Sequence, residues 1–428
     1  MRPKKSPLSH PKAAFRKPAK FASSRVPLAA LGHADAPASN MQEATKALVL
    51  QGGGALGAYQ GGVCEALLER SQSLDWVAGV SIGAINASII AGNAPKERIA
   101  KLRAFWDLVS SAPGQQLPSA LGDRMMLNQW SAAAAVFFGI PGFFKPRVDL
   151  SLLMGSAAKV LSYCDTTELK ATLERFVDFD RINRKDAMRI SVGAVNVRTG
   201  NSIYFDNTTH RIGAEHIMAS GALPPGFPPI HIDGEDYWDG GIVSNTPLQY
   251  VLDVHPRTQP LVVLQVDLFS ARGTMPQTLA EVSQRQKDII YSSRTRMNTD
   301  AVSANVNLQQ ALADLIKKLP ASLRNDKSVE ALSVQMTHKP IDIVHLIYRN
   351  RPYELDSKDY EFSRTTVNEH WEAGARDMKN TLAHPDWLKT TSASGVTTYD
   401  LTEPDALRVH GPTLDTRAGT AHTGTMKA

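Results

Sequence analysis

The pentapeptide GVSIG at residues 79–83 follows the apolar run WVA at 76–78 and precedes AINASIIA at 84–91, a stretch of good helix-forming character. This order predicts a strand, a sharp turn and a helix. A serine at such a turn points its hydroxyl away from the sheet, and flanking glycines, here Gly79 and Gly83, leave space for neighbouring backbone. The free N–H groups at a helix N-terminus also favour a developing oxyanion. The pattern therefore indicates Ser81 as a nucleophile, with a plain glycine–serine turn as the alternative.

A second glycine-rich turn lies upstream, where a predicted buried strand at 46–51 runs into GGGALG at 52–57 and a predicted helix at 58–70. The run fits G-x-G-x-x-G, which places a dinucleotide pyrophosphate at a helix N-terminus. It also fits an oxyanion loop, whose glycine N–H groups approach a tetrahedral intermediate. A dinucleotide site needs an acidic residue after the second strand, where this chain has Gly79 and Ser81. We favour the oxyanion loop, and a purely structural turn stays open. Its candidate residues are Gly52, Gly53, Gly54 and Gly57.

The basic charge of the chain is concentrated at its beginning. The formal net charge is +5 and the isoelectric point is near 9.0, but eight Lys and Arg residues precede the first acidic residue, Asp35. The rest of the chain is slightly acidic, which argues against a nucleic-acid-binding core. Residues 1–42 are therefore predicted to be a basic, disordered arm, with organelle targeting and attachment to a lipid surface as alternatives.

Cysteine content and hydropathy limit the class of protein. The two cysteines, Cys64 and Cys164, make no disulfide framework and lack the spacing of metal ligands, so a reducing, cytoplasmic location is expected. The sequence has no stretch of about 18 uninterrupted apolar residues, so we expect no membrane-spanning helix. No metal-binding motif is present, and we expect neither a metal nor a cofactor.

Two further motifs follow downstream. The proline-rich stretch ASGALPPGFPP at 219–229 leads to YWDGGIVSNTP at 237–247. With GGGALG and GVSIG before them, in this order and at this approximate spacing, these motifs make the chain resemble the patatin-like phospholipase family. The resemblance covers about residues 46–269, roughly half of the chain. Separated motifs in one order are together far more specific than any one of them.

The resemblance implies a Ser–Asp dyad in place of a three-residue triad. Ser81 would be the nucleophile and Asp239 the base, and the N–H groups of Gly53 and Gly54 would receive the oxyanion. An aspartate near its ordinary pKa of about 3.9 is a weak base, so Asp239 must contact the hydroxyl and be partly desolvated. The two glycines that follow it leave room for that approach; they are Gly240 and Gly241. For Asp239 alone, a β-turn aspartate is the alternative.

Two features leave details of the site open. The family often carries Arg or Lys at the position of Leu56, so the preferred lipid head group is undetermined. A histidine after Ser81 would restore an ordinary triad, and His231, His255 and His345 all follow it. We expect each of these histidines to be structural.

The fold class expected is α/β, a three-layer α/β/α patatin-like fold with a mostly parallel central sheet and a mainly helical C-terminal extension. The catalytic domain would span 43–270, the extension 271–389 and a disordered tail 390–428. The apolar stretch WSAAAAVFFGIPGFF at 130–144 is interpreted either as a lid or acyl-entry segment or as a buried helix followed by a loop.

The motifs and the family resemblance together predict a serine acyl hydrolase, a phospholipase A-type lipid esterase that cleaves fatty acyl esters through an acyl-enzyme. Acyl transfer by the same nucleophile and non-catalytic binding of a lipid or nucleotide are the alternatives. The expected partner is a lipid or phospholipid substrate; nucleic acid is not expected. Peripheral contact with a membrane and the oligomeric state are left open.

Overall fold

The computed structural model describes residues 44–70, 72–112, 123–147, 160–256, 258–335, 339–351, 353–384, 396–400 and 408–410. The described strands are β1 (Thr45–Leu50), β2 (Trp76–Val80), β3 (Lys145–Pro146), β4 (Cys164–Asp165), β5 (Arg189–Asn196), β6 (Ser202–Asp206), β7 (Ile230–Ile232), β8 (Glu235–Asp239), β9 (Leu261–Asp267), β10 (Ile341–Ile347), β11 (Val396–Asp400) and β12 (Arg408–His410). The described helices are α1 (Ala58–Glu69), α2 (Ile82–Ala91), α3 (Arg98–Val109), α4 (Arg124–Phe138), α5 (Thr167–Phe176), α6 (Phe179–Ile182), α7 (Ala214–Ser220), α8 (Leu248–Val254), α9 (Leu279–Lys318), α10 (Ala321–Arg324), α11 (Lys327–Gln335) and α12 (Arg364–Leu382).

One large sheet organises the described part of the chain. Its strand order is β12-β11-β10-β9-β1-β2-β5-β8-β7, and β6 also pairs with β5. The six strands from β11 to β5 are parallel neighbours, whereas β6, β7, β8 and β12 join through antiparallel pairings. Strands β2 and β9 are buried along their whole length. Burial on both faces explains why the central strands are continuous apolar runs rather than alternating ones. The predicted, mostly parallel sheet is confirmed.

Helices cover both faces of this sheet. On one face, Leu48 and Val77 pack in a cluster with apolar side chains of α1, α2 and α12. On the other face, Val49 and Ala78 pack against α8 and against Val306 of α9. Alternate residues of one strand thus face opposite helical layers, as the period of two requires. The arrangement is the predicted α/β/α fold.

The C-terminal extension continues the sheet of the catalytic domain. Strand β10 pairs with β9 along its whole length, from Ile341 to Ile347. Helix α12 lies close against α1, where a side-chain carbon on Gly62 would be 1.9 Å from the carbonyl oxygen of Trp371. The extension is helical for most of its described length, as expected, but its strand binds it to the core. The domain boundaries stay a prediction.

The tail predicted to be disordered contains two strands among its described residues. Strand β11 pairs with β10 in parallel, and β12 pairs with β11. The prediction of disorder from residue 390 onward is therefore wrong for these strands. The physical reason is the unpaired edge of β10, which accepts another strand, and the burial of Val396 and Tyr399 against it.

The apolar stretch 130–144 forms the end of α4 and the loop after it, as in the second interpretation, but its helical part is not buried as that interpretation required, since Trp130, Phe137 and Phe138 are 66%, 74% and 80% exposed. The sequence of residues 150–176 also predicts one or two helices; residues 150–159 lie outside the described part of the chain, and the remainder contains α5. Among the helices that the structure describes, none combines the length and apolarity that a bilayer crossing requires.

Candidate active site

The position of the site follows from how three strands meet. Strand β2 pairs with the first half of β5 and ends where Val80 lies beside Gly193. Strand β8 runs in the opposite direction and ends where Asp239 lies beside Ala194. Since β6 pairs with β5 across both regions, β2 and β8 must share the other edge of β5. The two strands therefore run toward each other, and their C-terminal ends meet at this edge.

Ser81 occupies the sharp turn between β2 and α2. Its φ is +57°, a region that residues with side chains seldom adopt. Side chains at Gly79 or Gly83 would lie 2.3 Å from backbone oxygens, so both flanking positions need glycine. The Ser81 N–H donates to the hydroxyl of Ser220 (2.9 Å), which donates to the carbonyl of Gly193 (2.6 Å). These two hydrogen bonds connect the strained turn at Ser81 to β5.

Asp239 lies at the end of β8, with 2% of its surface exposed. Its Oδ1 accepts the N–H of Gly241 at 2.7 Å, which fixes the carboxylate over a short 3₁₀ turn at Gly240–Ile242. Burial raises the pKa of Asp239 to about 6, while hydrogen bonds from the Ser81 side chain and from Gly241 act in the opposite direction. The carboxylate is therefore a stronger base than an exposed aspartate, and it is in contact with the Ser81 side chain.

The proline-rich stretch supports the same carboxylate. The N–H of Asp239 donates to the carbonyl of Ala222 at 3.0 Å. Leu223 and Phe227 from this stretch line the cavity beside Ser81. The stretch thus both holds the end of β8 and supplies apolar wall.

The glycine loop lies directly against Ser81. A side-chain carbon on Gly52 would be 3.0 Å from Cβ of Ser81. The N–H of Gly52 donates to the carbonyl of Asn245 (3.1 Å), whose side-chain amide donates back to the carbonyl of Gly52 (2.8 Å). The N–H groups of Gly53 and Gly54 line the cavity and have no acceptor within the described ranges. Gly53 and Gly54, and not Gly52, are therefore placed to donate to a ligand.

The other glycines of the motifs are packing positions. A side-chain carbon at each would come within 2.7 Å of a neighbouring atom; these glycines are Gly57, Gly240 and Gly241. Leu56, where the family often carries a cation, is fully buried. No Lys or Arg lies among the described residues that line the cavity.

A buried network of amide side chains supports the glycine loop. The side-chain oxygen of Gln51 accepts hydrogen bonds from the N–H groups of Leu268 (2.5 Å) and Phe269 (3.1 Å). The main-chain carbonyl of Gln51 accepts the amide of Gln60 (2.6 Å), and the Gln60 side chain accepts the amide of Asn86 (2.9 Å). Sequence reasoning missed these positioning residues. The available signal was the presence of amide side chains inside otherwise apolar strand and helix stretches.

The cavity beside Ser81 has a volume of about 190 Å³ and is mainly apolar. Its aromatic wall includes Phe143 and Phe144, each 8% exposed, and the Phe144 ring lies 5.1 Å from that of Phe227. The remaining large apolar and aromatic lining residues are Ile82, Ile85, Leu223, Phe269, Tyr291, Tyr360 and Phe362. Such a lining suits an acyl chain, with a few polar side chains among it, which include Ser81, Asp239, Asn245 and Asp359.

The C-terminal extension completes the site, a role that the sequence did not indicate. The carbonyl of Asp359 accepts the N–H of Ala55 at 2.8 Å. Lys287 in turn binds the carboxylate of Asp359 (2.8 Å) and the carbonyl of Asp356 (2.5 Å). The extension therefore holds the glycine loop through the hydrogen bond between Ala55 and Asp359. No local motif could have predicted this, because the contacts join residues about 300 positions apart.

We expect Gly54→Ala to lower kcat about tenfold to a hundredfold, because it displaces one of the two candidate oxyanion donors. Gly54 has φ +55°, and a side-chain carbon there would lie 1.9 Å from the carbonyl oxygen of Asp359. Gly200→Ala is the matched control: Gly200 has φ +70° but no atom within 4 Å of the added carbon. It should lower stability by about 1 kcal/mol and leave kcat unchanged. Unaltered turnover in Gly54→Ala would argue against this oxyanion loop.

The three histidines weighed above as triad members do not line the cavity. His231 is exposed and pairs with Asp236 at 3.0 Å, and His255 contacts the carbonyl of Gln259. His345 lies 3.7 Å from Asp267 in the sheet. Within the described ranges, no three His, Cys, Asp or Glu side chains converge as a metal site requires.

Comparison with known proteins gives two family matches. Residues 48–252 match a family model described as patatin-like phospholipase, and residues 289–394 match one described as patatin phospholipase. No curated protein matches the sequence.

Solved structures of similar proteins share little sequence with this chain. VipD from Legionella pneumophila is 15% identical, with 77% of this chain and 67% of that chain covered and a TM-score of 0.33. Human GIVD cytosolic phospholipase A2 is 12% identical, with 81% and 60% covered and a TM-score of 0.34. ExoU in its complex with SpcU, from Pseudomonas aeruginosa, is 15% identical, with 81% and 78% covered and a TM-score of 0.30.

Proposed function

We propose that this chain, which belongs to the patatin-like phospholipase family, is a serine acyl hydrolase that cleaves fatty acyl esters of lipids. Ser81 is the nucleophile and Asp239 the general base. The observation that carries the proposal is the buried carboxylate of Asp239, hydrogen-bonded by the Ser81 side chain at the mouth of an apolar cavity.

In this reaction the Ser81 oxygen attacks the ester carbonyl, and its proton moves to Asp239. The carbonyl oxygen becomes an oxyanion that accepts hydrogen bonds from the N–H groups of Gly53 and Gly54. Collapse of the intermediate breaks the ester bond, and the leaving alcohol takes the proton from Asp239. Water then attacks the acyl-enzyme, giving its proton to Asp239, and the fatty acid leaves as Ser81 regains a proton.

The test is release of fatty acid from long-chain lipid esters by purified protein, with Ser81→Ala as the blank. We expect free fatty acid from the wild type only. If an added alcohol or thiol takes up the acyl group faster than water does, the chain is an acyltransferase using the same nucleophile. If the folded wild type forms no product from any ester, the enzyme proposal fails.

We also propose that α4 contacts a lipid surface during catalysis. Phe137 and Phe138, at the end of α4, are 74% and 80% exposed, while Phe143 and Phe144 of the following loop line the cavity. An exposed aromatic pair so close to an acyl site suits insertion at a lipid interface.

Replacing both Phe137 and Phe138 by Ser should reduce hydrolysis of long-chain esters in vesicles by about tenfold or more, because each ring loses its burial in lipid. Hydrolysis of a soluble short-chain ester should not change. Leu323→Ser, at a 53% exposed position of α10, controls for loss of an exposed apolar side chain. Equal loss on both substrates would rule out the interfacial role.

A further inference from the structure

A second, larger cleft opens beside the cavity, and arginines line it. Its volume is about 760 Å³, and it lies between residues 270–277, the first turns of α9, and residues 349–351 with 354 and 355. We call it the arginine cleft, after the four arginines that line it: Arg272, Arg285, Arg349 and Arg351. All of it belongs to the chain after β9, and the proposed reaction uses none of these side chains.

The buried carboxylates of the arginine cleft already have donors. Asp288, 3% exposed, accepts from Lys358 (2.6 Å) and from the side chain of Asn350 (2.7 Å). Glu354, 4% exposed, is in hydrogen-bond contact with His370 (2.9 Å) and accepts from Tyr348 (2.5 Å). These acids turn inward to partners of their own. Glu281 is the one further acid among the described residues that line the cleft, and it accepts the N–H of Gln277 (2.6 Å), so the four arginines leave the accessible wall with more positive than negative charge.

The remaining polar contacts of the arginine cleft hold its shape. Arg285 donates to the carbonyls of Ser270 (3.3 Å) and Ala271 (2.6 Å), which fixes the loop after β9. Arg351 donates to the carbonyl of Glu369 over a long distance, 3.5 Å, and is hydrogen-bonded to Tyr353, which leaves further N–H groups of its guanidinium. Arg272 is exposed on that loop. Arg272 and Arg351 thus have donor capacity for a ligand.

Three chain segments connect the arginine cleft to the cavity. Phe269 lines the cavity and the next residue, Ser270, lines the cleft. On α9, Asp288 lines the cleft and Tyr291, one turn later, lines the cavity. Likewise, Leu355 lines the cleft, and Asp359, a few residues later in the chain, lines the cavity. The arginine cleft and the cavity therefore adjoin along these segments, so a ligand with its acyl chain beside Ser81 would have its other end toward the cleft.

We propose that the arginine cleft binds the anionic phosphate-bearing end of the acyl ester substrate. Guanidinium groups recognise phosphate oxygens through paired, charge-assisted hydrogen bonds. The glycine loop supplies no cation for this purpose, since Leu56 is buried and the described cavity lining has no Lys or Arg. The orientation of the ligand rests on the proposed function, whereas phosphate binding by the cleft does not.

The test measures binding without turnover, in the Ser81→Ala protein. Two probes separate the sources of phosphate: vesicles of phosphatidylcholine with or without phosphatidylglycerol, followed by flotation, and pyrophosphate, followed by calorimetry. The double variant Arg272→Glu/Arg351→Glu is compared with Arg184→Glu, an exposed arginine outside the cleft. Arg272→Glu alone serves if the double variant does not fold.

We expect the cleft variants to bind one or both phosphate probes about tenfold or more weakly, and Arg184→Glu to bind them normally. Raised salt should weaken the wild-type binding in parallel. Pyrophosphate binding would indicate a soluble phosphate ester, and binding only to phosphatidylglycerol vesicles a lipid head group. The proposal would be overturned if the cleft variants bound both probes as tightly as the wild type. It would also be overturned if Arg184→Glu lost as much binding as the cleft variants. Arginine-dependent binding by a protein that hydrolyses no ester would leave the cleft standing and refute only the enzyme assignment.

Discussion

Ser81→Ala is expected to lower kcat by a factor of about 10⁴ or more, because no other group can form the acyl-enzyme. The substitution removes only the hydroxyl, and the Ser81 N–H can still donate to Ser220. The turn should therefore keep its conformation and the melting temperature should stay close to that of the wild type. The measurement is steady-state release of fatty acid together with thermal unfolding.

Ser202→Ala is a suitable control for this experiment, since Ser202 is an exposed serine of β6. It should retain full activity. A Ser81→Ala protein that folds and keeps activity within about tenfold of the wild type would exclude Ser81 as the nucleophile.

Asp239→Asn is expected to lower kcat about 10³-fold, because an amide cannot accept the serine proton. Asparagine has nearly the same shape, and its oxygen can still accept the N–H of Gly241. Asp236→Asn, at an exposed position of the same strand, is the matched control and should be fully active. The measurement is kcat/KM over a pH series for all three proteins.

The direction in which kcat/KM changes with pH follows from the pKa of Asp239. The pKa of Asp239 is raised to about 6, so below that pH the protonated acid accumulates and cannot act as a base. Wild-type kcat/KM should fall about tenfold per pH unit below 6 and level off above it. The residual activity of Asp239→Asn should lack this acidic limb. If the limb persists in Asp239→Asn, another group is the base.

The raised pKa also has a cost in stability. A buried carboxyl with a raised pKa stabilises the fold in its neutral form at low pH, and that stabilisation is lost as the pH rises through about 6. The Asp239→Asn protein has no such charge to bury. At pH 8 it should therefore unfold at or above the melting temperature of the wild type.

Local sequence patterns predicted the parts of the fold that local chemistry determines. The turn before α2 and the turn before α1 were predicted because close backbone approach restricts those positions to glycine, which is visible in the sequence. The strand predicted at 46–51 is β1 (Thr45–Leu50), and the helix predicted at 58–70 is α1 (Ala58–Glu69). Periodicity was sufficient in these cases because each element forms its hydrogen bonds within itself or along one apolar face.

The rest depends on register and on contacts between distant segments. That β2 and β8 end against each other along β5 follows from strand pairing, which the sequence of any one strand does not specify. The walls contributed by Tyr291, Asp359 and Phe362 come from the C-terminal extension, in which no short catalytic motif marks these residues. Strand β11 forms because β10 offers an edge, and a Thr-rich tail gives little indication of that.

The most direct test of the central claim is intact-mass analysis after reaction with a fluorophosphonate probe, which labels activated serines. The account predicts one adduct on the wild type, mapped to Ser81, and none on Ser81→Ala or Asp239→Asn. Labelling of Asp239→Asn at the wild-type rate, or an adduct on any other residue, would contradict a nucleophile at Ser81 that Asp239 activates.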